Sequence, residues 1–125
     1  MVDQIQPKLV PELSIPVSDS IVFVQAIDTT MLLSLDISNF VEPSPPGHQI
    51  YDVKAVAFLI TNQKTGRKVL FDFGIRKDYW NGPPVIVNGL KDSKNVKGIK
   101  CGRGVQDVLV DAGEKLEDIE AVIWR

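Results

Sequence analysis

The stretch Val105–Trp124, "VQDVLVDAGEKLEDIEAVIW", holds the change of pattern that decides the fold. Val105, Val108, Leu109 and Ala112 fall at i, i+3, i+4 and i+7, one apolar stripe of a helix, and Gly113 is the residue expected to end it. After a short turn around "EKLED", Ala121, Val122, Ile123 and Trp124 follow one another without alternation, as in a strand covered on both faces. Such a strand needs neighbours on both sides. Only Arg125 follows it here.

Outward from this stretch the chain reads as strands. "KVLFDFG" (68–74) is an apolar strand closing in Asp72 and Gly74, and "NQKTGRK" (62–68), with Gly66, joins it in a hairpin to "DVKAVAFLIT" (52–61). Further back, "MLLSLDI" (31–37) and "IVFVQAID" (21–28) give two more strands separated by a Thr29-Thr30 turn. The strand at 21–28 is largely apolar on both faces, with Ile21, Phe23, Gln25 and Ile27 on one and Val22, Val24 and Ala26 on the other. Pro43, Pro45, Pro46 and Gly47 mark a long irregular loop. "IRKDYWNGPPVIVNGLKDSKNVKGIK" (75–100) reads mostly as loop with short helical pieces. Residues 1–20 carry Pro7, Pro11 and Pro16 and form an extended arm, leaving 21–125 as one domain.

Composition fits a globular chain. Of 125 residues 44% are hydrophobic and 24% charged, and no apolar run approaches the roughly 20 residues needed to cross a bilayer. The net charge is -2 with both signs interspersed, which argues against nucleic-acid binding. Met1 to Ser20 show no basic segment followed by an apolar core, and the single Cys101 has no partner for an internal disulfide. A cytoplasmic protein is expected, without membrane attachment.

Few residues carry chemistry. A catalytic zinc site takes typically three protein ligands, mostly His, Cys or carboxylate, and this chain has one histidine and one cysteine. His48, in "PSPPGHQIYD", reads as an ordinary loop histidine. Cys101, in "GIKCGRG", has Lys100 and Arg103 beside it, cations that lower a thiol pKa, yet nothing pairs it with a base. The Gly102-x-Gly104 pair lacks the strand and full fingerprint of a phosphate loop. Asp72, the first residue of an Asp-x-Gly sequence, is an ordinary strand-ending turn on pattern alone.

Taken together, "AVAFLITNQKTGRKVLFDFGIRKDYW" (55–80) and "VQDVLVDAGEKLEDIEAVIW" (105–124) resemble the N-terminal part of the metallo-β-lactamase superfamily, most closely its quorum-quenching lactonase-like members. The resemblance runs from about Ile21 to Trp124. It implies an α+β fold, the first half of an αββα sandwich, with a mixed sheet and one clear amphipathic helix. It implies Asp72 and Gly74 as active-site scaffold, and Tyr79 and Trp80 as candidate lining of a substrate pocket. In that family the strand matching "IEAVIW" runs into Ser/Thr-His-x-His-x-Asp-His, and Arg125 stands where the Ser or Thr would be. The chain is therefore expected to stop short of the metal-binding motif, to hold no cofactor itself, and to be inactive alone. Full-length relatives are implied to bind two zinc ions and to hydrolyse a small lactone or ester. The other reading is a non-catalytic interaction module that self-associates or pairs with a relative through its uncovered sheet edge.

Overall fold

The computed structural model describes residues 9–124; Pro7 of the arm and Arg125 lie outside the described residues. Seven strands and two α-helices follow one another: β1 (Val22–Asp28), β2 (Leu32–Asp36), β3 (Ile50–Val53), β4 (Val56–Asn62), β5 (Lys68–Phe71), α1 (Pro84–Lys91), β6 (Val96–Lys100), α2 (Val105–Asp111) and β7 (Ile119–Ile123). The strands form two sheets. One has the order β1-β4-β5-β7, antiparallel except for the parallel pair β5/β7, and the other is an antiparallel β3-β2-β6. The α+β class and the mixed sheet agree with the sequence reading.

Three expectations need correction. "DVKAVAFLIT" is two strands, not one, because the chain breaks at Lys54–Ala55 and passes from the small sheet to the large one. The segment 75–100 is more regular than expected and contains α1 and β6. Within it, Pro84 of Gly82-Pro83-Pro84 occupies the first helical position of α1, where its missing N–H costs nothing and its fixed φ suits the helix. The strand at 119–123, expected to be covered on both faces, is an edge strand paired only with β5; Ile123 is 50% exposed and Trp124 82%.

The core sits between α2 and one face of the large sheet. Ile27, Ala57, Leu59 and Leu70 face Val105 and Leu109, all six buried, with Val108 and Ile119 packed against them. The predicted stripe is therefore the packing face of α2, and Gly113 ends that helix at φ 80°, a conformation that favours glycine. Lys68 and Glu114, both about four-fifths buried, form an ion pair that ties β5 to the turn after α2. Their attraction is reinforced by partial removal from water.

The opposite face of the same sheet is apolar and bare. Strand register lines up two cross-strand rows, Val24–Ile60–Val69–Ala121 and Ala26–Phe58–Phe71–Ile123. None of these eight residues is buried, and none is charged. Along the arm, Leu9, Val10, Leu13, Ile15 and Val17 are likewise exposed. The whole chain presents 10102 Å² to solvent. A compact monomer of this mass, 13.8 kDa, would present roughly 6,600 Å². No helix among the described residues is long and apolar enough to cross a membrane.

Candidate functional site

Strands β5 and β7 run parallel and end side by side, and the chain turns sharply just past β5. The N–H of Asp72 donates to the carbonyl of Ile123 at 2.8 Å, which joins the turn to the end of β7. Asp72 itself has φ 65°, a left-handed conformation unusual for a residue with a side chain. Its carboxylate compensates locally: Oδ1 accepts from the N–H groups of Phe73 at 2.6 Å and Gly74 at 3.0 Å. Gly74, at φ 60°, follows in the same handedness, and a Cβ there would lie 3.6 Å from Ala55 Cβ. The Asp-x-Gly sequence is thus a tight turn at the mouth of the sheet, clamped to two strand ends.

Thr29 and Ala55 back this turn, and no spacing in the sequence marks either. Thr29 is fully buried, and its hydroxyl has no hydrogen-bond partner among the described residues. In front of the turn a cavity of about 460 Å³ is lined by Phe73, Ile75, Arg76, Lys77, Val105 and neighbouring residues. Its two cations are already partnered. Arg76 holds Asp78 through two hydrogen bonds of 2.9 and 2.7 Å, and Lys77 reaches Asp107 at 3.0 Å. The Arg76 guanidinium holds the Asp78 carboxyl below its ordinary range. Asp107 is lowered first by the Gly104 N–H, 2.8 Å from Oδ2, and then by Lys77. Gly102-x-Gly104 therefore leads into the start of α2, where Asp107 caps it.

Tyr79 and Trp80 sit on a short 3₁₀ turn, Tyr79–Asn81, and pack edge-to-face with ring centroids 5.3 Å apart. Neither is among the residues lining the cavity in front of Asp72. His48 is exposed in its loop, its backbone N–H bonded to the Pro45 carbonyl. Cys101 is half-buried and donates to the Ile75 carbonyl at 3.2 Å. The expectation that Lys100 and Arg103 lower its pKa fails, because burial pushes the thiol up. Little thiolate then exists at neutral pH. Alkylation of Cys101 by iodoacetamide is expected to be slower at pH 7 than that of a small free thiol and to keep rising above pH 9; a rate that levels off near neutrality would contradict this.

Comparison with known proteins gives the context for this turn. Over 122 residues, 94% of the chain, it is 35% identical to the gamma-lactamase FDB1 of Fusarium pseudograminearum, and over 119 residues it is 35% identical to the metallo-hydrolase mfmC of Annulohypoxylon moriforme. The chain is a relative of the metallo-hydrolases. It is also 37% identical over 123 residues to a protein named cytochrome P450 monooxygenase mpaDE, from Penicillium roqueforti. The chain spans 29% of the gamma-lactamase, 31% of mfmC and 14% of mpaDE. Those names describe proteins several times longer than the matched region. No family model matches the chain, and no solved structure does.

The metallo-hydrolase relationship bears out the resemblance read from the sequence. The described residues do not fit the two zinc ions that this resemblance implies for full-length relatives. Among the described residues, no three of His, Cys, Asp and Glu come together in a metal-binding group. Asp72 spends one carboxylate oxygen on its own turn, which makes it a shaping residue at the mouth of the sheet.

Proposed function

We propose that these 125 residues form the part of a metal-dependent hydrolase that carries one sheet and its Asp72–Gly74 turn, and that the metal ligands come from residues outside them. The observation that carries this is the clamp between Asp72 and Ile123 at the joint ends of β5 and β7. It puts the Asp-x-Gly turn against the end of the strand from which, by resemblance, the histidine motif emerges. Ligands gather readily at the carboxyl ends of parallel strands. The substrate class is a small cyclic ester, or a cyclic amide as the relatives named gamma-lactamase would have it. The 125 residues alone hydrolyse neither. A cytoplasmic location accords with the lone, unpaired Cys101.

Sequencing the transcript past the Trp124 codon tests this reading. A run encoding Ser/Thr-His-x-His-x-Asp-His, in any of the three frames, is the expected result. Its absence from the transcript and the adjoining genomic sequence would remove the proposal.

A second reading is favoured by the two bare rows of the large sheet: the chain serves as a non-catalytic interaction module. Eight uncharged residues in register across four strands make an apolar patch of the kind that marks an association surface. At the edge strand β7 that patch ends in Ala121 and Ile123, both exposed, with no further strand paired beyond them among the described residues. By contrast, β6, at one edge of the small sheet, carries Lys97 and Lys100, charges that discourage strand pairing there.

A further inference from the structure

We draw no further inference here: the strongest candidate, the bare apolar face of the large sheet around Ile60 and Phe71, carries nothing further because nothing in the structure shows what covers it.

Discussion

Leu59→Ala is expected to cost about 2–5 kcal/mol, enough to remove most or all of the chain's stability. Leu59 is 2% exposed, at the centre of the cluster formed with Ile27, Ala57, Leu70, Val105 and Leu109. Removing three heavy side-chain atoms there forfeits their transfer energy and leaves a cavity under α2. A small domain has only about 5–15 kcal/mol of net stability, and on the second face of this one's large sheet Phe58, Ile60, Val69 and Phe71 are only partly buried. Urea unfolding followed by circular dichroism should show a midpoint lowered by at least half, or no folded baseline. A midpoint within about 0.5 kcal/mol of the parent would mean that the core is not the one described.

Replacing Asp72 separates its turn chemistry from its charge. Asp72→Ala should cost about 1–3 kcal/mol, because it strips the acceptor of the Phe73 and Gly74 N–H groups and leaves a Cβ residue at φ 65° without local support. Asp72→Asn keeps an acceptor oxygen and tolerates the left-handed conformation, so it should stay within about 0.5 kcal/mol of the parent. Thermal unfolding of the two variants side by side measures the difference. Equal losses in both would show that the negative charge, not the turn, is what the residue contributes.

These two positions also show what the sequence discloses and what it hides. Helix α2 was legible because Val105, Val108 and Leu109 repeat at helical spacing and Gly113 supplies the stop, both local signals. The β4–β5 hairpin was legible through Gly66. The break between β3 and β4 was not, since Lys54–Ala55 carries no turn residue and the change of sheet depends on distant partners. Helix α1 was hidden because proline followed by proline reads as a loop unless the second is known to open a helix. At the candidate site, Asp72 and Gly74 stood out by motif. Thr29 and Ala55 come to the same turn only through tertiary packing, which no spacing encodes.

The bare face connects fold to function. A four-stranded sheet with a helix on one side alone is half of a layered structure, and each bare residue forfeits stabilisation of about 25 cal/mol per Å². Metallo-hydrolase relatives several times longer have chain to spare for such a cover. The described residues have a shaped sheet mouth, and among them no three of His, Cys, Asp and Glu come together as a ligand set.

Zinc content and hydrolysis, measured together on the purified chain, test this account most directly. After dialysis against zinc, elemental analysis should find well under one ion per chain, and neither a γ-lactone nor a γ-lactam should be opened faster than in buffer. One or more tightly held zinc ions per chain, with turnover that chelation removes and zinc restores, would contradict it.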